Sequence, residues 1–199
     1  MKKVLWTAMN GVLIGLISFN TWALNHDELV YHIERQSDIG HSYARDALSA
    51  FERKIKTEMA AGNRVSLTGF GTYKPEKCET INGKEKCKLI KGGKTINKTK
   101  VVNEMAVGGE DGAMSKAAAS RALESYMGAV KATLKKGGEV DDDDQVYKTK
   151  VSQAKTITLA DGTIKTKPRK VSVVHVEDAT DTRYRFVAHK GLRNTLNNR

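Results

Sequence analysis

HSYARDALSAFERKIKTEMAAGNRVSLTGFGTY, residues 41–73, changes period halfway along. Its first part repeats apolar residues at Ala44, Ala47, Leu48, Phe51, Ile55 and Met59, the 3.6-residue spacing of a one-sided helix. Gly62 and Asn63 then form a stop signal, since glycine and Asx residues turn left-handed at little cost. Beyond them the period becomes two, at Val65 and Leu67, and the Gly69-Phe70-Gly71 run sets one aromatic at a sharp bend. The spacing predicts a helix, a tight cap and a strand that turns back on itself.

This order of motifs, with LNHDELVYHIERQSDIG (residues 24–40) ahead of it as a first helix and turn, resembles the HU/IHF family of bacterial nucleoid proteins. The resemblance implies an α+β fold in which a helical base carries β-hairpin arms that embrace DNA. It also implies a dimer, because HU-family proteins work as intertwined pairs.

The partner of that pair is expected within the same chain. A shift of 75 lays Ala119, Ala122, Leu123, Tyr126, Val130 and Leu134 on the six apolar positions above, Gly137 on Gly62 and Val140 on Val65. Upstream, Asn97 to Val102 parallels Asn25 to Val30, and a loop at residues 107–112 absorbs the three-residue difference. Two unrelated amphipathic helices would share a period, but not also the cap and the valine after it, so the pattern predicts a tandem repeat. The expected architecture is two HU-like repeats, residues 24–96 and 97–199, folded as a single-chain pseudo-dimer. In place of the first repeat's GFG, the second has the acids of residues 141–144, read as a self-repelling, solvated run that lacks the spaced ligands of a calcium loop.

Phe186-x-Ala188-x-Lys190-x-Leu192-Arg193-x-x-Leu196-Asn197 is similar to the family's last helix. The resemblance casts Phe186 as core and Lys190 and Arg193 as phosphate contacts. The first repeat has only a faint counterpart, at residues 90–96, where two glycines weaken any helix.

The chain has 199 residues, a formal charge of +11 and a pI of about 9.6, a balance that favours a polyanionic partner. The charge is uneven. Residues 24–73 hold six Lys/Arg against seven Asp/Glu, residues 74–100 nine against three, and residues 145–199 twelve against four. The excess falls where the family carries its arms.

Cys78 and Cys87 flank Asn82-Gly83, the strongest short hairpin signal. A two-residue turn there pairs 81 with 84, 80 with 85, 79 with 86 and 78 with 87. The cysteines then meet at a non-hydrogen-bonded position, where strands approach most closely and a disulfide fits. Lys84, Lys86 and Lys88 lie on this arm. A second arm is expected around Asp161-Gly162, with residues 155–159 facing 163–167, and Lys165, Lys167, Arg169 and Lys170 gather around Pro168. In HU-like proteins a proline near each arm tip wedges between bases. Pro168 stands several residues past the expected tip, the first arm has no tip proline, and simple strand termination explains Pro168 equally well.

Residues 1–23 read as a secretory signal: Lys2 and Lys3, an apolar run at residues 4–19, and Thr21-Trp22-Ala23 before a cleavage expected after Ala23. Two cysteines suit the same oxidising compartment, so the reading is periplasmic or secreted.

No catalytic motif stands out, the residues 92–95 lack the first glycine of a phosphate loop, and the five histidines are too scattered to propose as metal ligands. No cofactor or metal is expected. His175, in the alternating run at residues 171–176, is read as an exposed strand residue. The leading expectation is an exported, non-enzymatic protein that grips double-stranded DNA without sequence preference. The rival is an envelope structural protein that keeps the fold and engages another anionic partner.

Overall fold

The computed structural model describes residues 23–107, 112–142, 145–152, 155–158, 163–167, 170–177 and 183–197, with positions 145, 151–152, 155, 157–158, 165–167, 170–171 and 174–177 described by backbone alone. The leader, the acids at 143–144, the Asp161-Gly162 tip and Pro168-Arg169 lie outside the described residues.

β1 (Ala23–Leu24) leads into α1 (His26–Ser37). A capping box of Asn25 and Glu28 starts this helix. The Asn25 side chain accepts from the Glu28 N–H (2.9 Å) and Glu28 Oε2 accepts from the Asn25 N–H (3.1 Å). Leu29, Val30 and Ile33 are fully buried, and Asp38 ends the helix in the left-handed region. α2 (His41–Ala60) buries all six residues of its predicted stripe. Gly62, at φ 73°, then turns the chain into β2 (Arg64–Leu67). β3 (Gly71–Ile81) and β4 (Lys84–Leu89) form the first hairpin, followed by β5 (Thr95–Asn97). Residues 90–94 form no helix.

The pattern then recurs. α3 (Lys98–Val107) starts at Asn97, whose side chain accepts from the Lys100 N–H. α4 (Lys116–Lys135) buries the stripe 75 residues on from that of α2. β6 (Glu139–Asp142) and β7 (Gln145–Ser152) occupy the places of β2 and β3. The turn between them is shorter: Leu67 pairs with Gly71, whereas Asp142 pairs with Gln145. Asp142 is fully buried, so the solvated reading of the acidic run fails at this residue. It fails because the strand period carries on through Val140 and Asp142, turning both inward, while Asp141 faces out.

β8 (Lys155–Thr158) pairs with β9 (Ile164–Lys167), and β7 with β10 (Lys170–Glu177). Lys155 faces Lys167 in the one and Ser152 faces Lys170 in the other. One register therefore holds in both pairs, in the alignment the sequence predicts. β11 (Arg183–Ala188) and α5 (Lys190–Asn197) close the chain. Phe186 is core, as expected, but Phe186 and Ala188 stand on a strand, and the helix begins only at Lys190.

Two sheets share strands between the halves. One runs β1-β6-β7-β10; the other runs β11-β3-β2-β5 with β4 continuing on β3. With β5 counted together with α3, into which it leads as β1 leads into α1, the loan is reciprocal. Ala23 and Leu24 pair in parallel with Glu139 and Val140, and Thr95 and Ile96 pair in parallel with Arg64 and Val65. β11 comes from the far end of the chain yet pairs with β3 along residues 71–76, and α5 follows it. The strand beside the root of the first hairpin is thus supplied by the C-terminus.

Aromatic rings fill the seam. Phe51 meets Tyr126 at 4.9 Å between centroids, and Phe186 meets Phe70 and Tyr73, each at 5.0 Å, and Tyr147 at 5.4 Å. The hydroxyls of Tyr73 and Tyr147, one from each half, are hydrogen-bonded at 2.7 Å.

Candidate nucleic-acid interface

The first arm is an extension of β3 and β4 beyond the core. The burial of β3 alternates along residues 71–76 and gives way to exposure toward the tip. The turn is built as Asn82-Gly83 requires, with φ of 52° and 72°. Cross-strand partners are Glu76 with Leu89, Lys77 with Lys88, Cys78 with Cys87, Glu79 with Lys86, Thr80 with Glu85 and Ile81 with Lys84. Cys78 and Cys87 form the expected disulfide, with Cα atoms 4.0 Å apart.

Directly opposed residues share a face, so the pairing sorts the arm's charge. Lys77, Glu79, Ile81, Lys84, Lys86 and Lys88 fall on one face; Glu76, Glu85 and the disulfide fall on the other. Lys84, Lys86 and Lys88, expected as contacts, are brought together and exposed, and Lys77 joins them. Lys77 and Lys88 are like charges placed opposite each other, and Glu79 on the same face pairs with Lys77 at 3.3 Å. On the acidic face, Arg185 pairs with Glu76 at 2.7 Å at the arm's root, and Arg183 of β11 pairs with Glu85 nearer the turn.

The second ribbon carries Lys165 opposite Ile157, Lys167 opposite Lys155 and Lys170 opposite Ser152. Lys190 and Arg193 are exposed on α5. His189 caps the approach: its N–H donates to the Phe70 carbonyl, and its Nε2 lies 2.7 Å from Thr72 Oγ1. Burial, then the charges of Arg193 and Lys74, hold its pKa below the ordinary imidazole value.

Sequence reasoning missed this body patch. Thr72 and Lys74 on β3, Arg185 on β11, His189 and Arg193 meet only because β11 returns to β3. Lys148 and Lys150 stand exposed on β7 in the other sheet. The signal was the outward half of the alternation, polar at Thr72, Lys74 and Glu76 and again at Arg183 and Arg185.

The site is thus a basic two-stranded arm on a helical base, with a second basic surface on the body. Residues 24–86 match the family described as bacterial DNA-binding protein. The chain carries an HU/IHF-family segment. That segment spans α1 to the middle of β4, so it holds both helices, the Gly69-Phe70-Gly71 turn and most of the first arm. The chain is similar to DNA-binding protein HU-beta of Neisseria meningitidis serogroup A / serotype 4A and to DNA-binding protein HU of Neisseria meningitidis serogroup B. Each is 36% identical over 50 residues, 25% of this chain and 56% of the relative. The match therefore spans about half the length of these curated HU relatives.

Proposed function

We propose that this chain is a non-enzymatic, HU-like DNA-binding protein acting outside the cytoplasm, a single-chain pseudo-dimer that holds a duplex between two basic ribbons. The observation that carries the reading is the first arm, where four lysines share one face of an HU-type hairpin. The reciprocal loan of β1 and β5 supports the pseudo-dimer, because each half supplies the same element to the same place in the other. The disulfide and the basic-apolar leader support export. Among the described residues no helix is long and apolar enough to cross a membrane.

Affinity in this reading comes from phosphate neutralisation by the two arms and by the patch at Lys74, Arg185 and Arg193, with little base readout. If about six phosphates are neutralised, log K falls with log salt at a slope near −5. Anisotropy titration of a random-sequence duplex at several salt concentrations tests it. A flat salt response overturns the mechanism; absence of DNA binding alongside binding to anionic vesicles favours the envelope-structural alternative.

A further inference from the structure

The seam between the halves holds a polar cluster that DNA binding does not use. His26 opens α1, Glu52 lies on α2 and Asp142 ends β6. His26 Nδ1 is 3.0 Å from Asp142 Oδ1 and 3.7 Å from Glu52 Oε1. One potential ligand atom from each residue lies within 4.8 Å of the others. Asp142 is fully buried and Glu52 is 8% exposed. Asp142 Oδ2 is buried without a hydrogen-bond partner.

The fold does not require this arrangement. The position 75 residues before Asp142 is Leu67, the position 75 after Glu52 is Met127, and α3 opens on Lys98 where α1 opens on His26. Leu67 and Met127 are buried and apolar, and Lys98 reaches out to Glu124 instead. The same site in the other half is therefore closed with hydrocarbon. Two carboxylates taken out of water are costly even with an imidazole beside them. Burial first, with the field of Asp142 and Glu52 contributing, holds the hydroxyls of Tyr73 and Tyr126 above their ordinary range.

We propose that His26, Glu52 and Asp142 bind one divalent first-row transition metal ion of the zinc class, joining the two halves of the chain. One imidazole nitrogen and two carboxylate oxygens suit that class, whereas calcium and magnesium take all-oxygen shells. Metal–ligand bonds of about 2.0–2.2 Å put tetrahedral ligand atoms about 3.4 Å apart, between the two separations seen. The divalent charge balances both carboxylates with the imidazole neutral. Asp142 Oδ2 is the oxygen available to rotate into the shell.

The test is calorimetric titration of chelator-treated full-length protein with zinc alone, with cobalt absorption as a readout of geometry. The expected result is one saturable site per chain, a visible cobalt spectrum of four-coordinate type, and a higher melting temperature with metal. Asp142→Asn and His26→Ala should each weaken binding by at least tenfold, the order of loss that even a disturbed outer shell produces. Should either variant fail to fold, the double variant Glu52→Met with Asp142→Leu copies the apolar solution of the other half; it is expected to fold, as circular dichroism checks, and to bind no metal. Wild-type protein without a saturable site overturns the proposal. So does zinc affinity unchanged in these variants, which would assign the metal to surface groups such as His41 and Glu34.

Discussion

The ring of Phe186 stands where Gly71 would carry a side chain. A Cβ built on Gly71 would lie 2.1 Å from Cζ of that ring. Strand β11 approaches β3 so closely because residue 71 has no side chain, and the phenyl edge fills the space.

Gly71→Ala should therefore destabilise the protein by about 1–3 kcal/mol through overpacking. The backbone of Gly71 is not in the left-handed region, so the effect is steric. Urea midpoints check it. Adding Phe186→Leu, which thins the ring, should recover part of the loss, because the two positions touch and couple.

Removing the arm's crosslink should act locally. The loop closed by Cys78 and Cys87 is short, with a sequence separation of 9, and closure entropy of that size amounts to about 2–3 kcal/mol. In the variant with serine at both positions, amides of residues 76–89 should exchange faster, while those of α2 and α4 keep their protection. Hydrogen exchange read by NMR distinguishes the two regions. DNA affinity should fall as well, since the ribbon then has to be ordered on binding.

Charge removal on the basic face should change the salt dependence of binding along with its strength. Each phosphate left unneutralised lowers the salt slope by on the order of 0.9. The triple variant with alanine at Lys84, Lys86 and Lys88 should show up to about three such steps, uniformly across sequences. Thr80→Ala on the opposite face, a position with no charge to remove, should leave the slope unchanged, so that anisotropy at four salt concentrations separates the faces.

Acid should destabilise the fold in two stages. His32, through burial, and His189, through burial and then its cationic neighbours, have folded pKa values below 6.5, so below that pH the unfolded chain takes up protons first and stability falls. For Glu58, burial acts to raise the pKa, but hydrogen bonds from Asn63 (2.7 Å) and from Lys54 outweigh it and the net shift is downward. Its contribution is complete above pH 4.5 and is lost as pH falls through the lower folded value. Glu58→Gln should flatten the second stage and leave the first. Denaturant midpoints from neutral to strongly acidic pH measure both.

How far the sequence speaks depends on how local the cause is. The Asn25/Glu28 box, the stripes of α2 and α4 and the register of the Asn82-Gly83 hairpin were legible because each is set by residues within a few positions. The partner of β11 was not: alternation around Phe186 marks a strand, but nothing nearby says that it will lie on Tyr73. The same blindness turned Phe186 and Ala188 into helix, although a spacing of two already favoured extended chain. The burial of Asp142 was hidden by its acidic neighbours, whose charge outweighed the strand period in the reading. The body patch at Lys74, His189 and Arg193 depends on the same long-range pairing, so it too needed coordinates.

The borrowed edge strands have a consequence for how the two parts of the chain stay together. Separate subunits fall apart when their concentration drops below the dissociation constant. Here Leu24 is tied to Val140, and Ile96 to Val65, along one continuous backbone. The local concentration of each half around the other is then set by the length of the connecting chain and not by how much protein the solution contains. The assembly should keep its shape at any abundance.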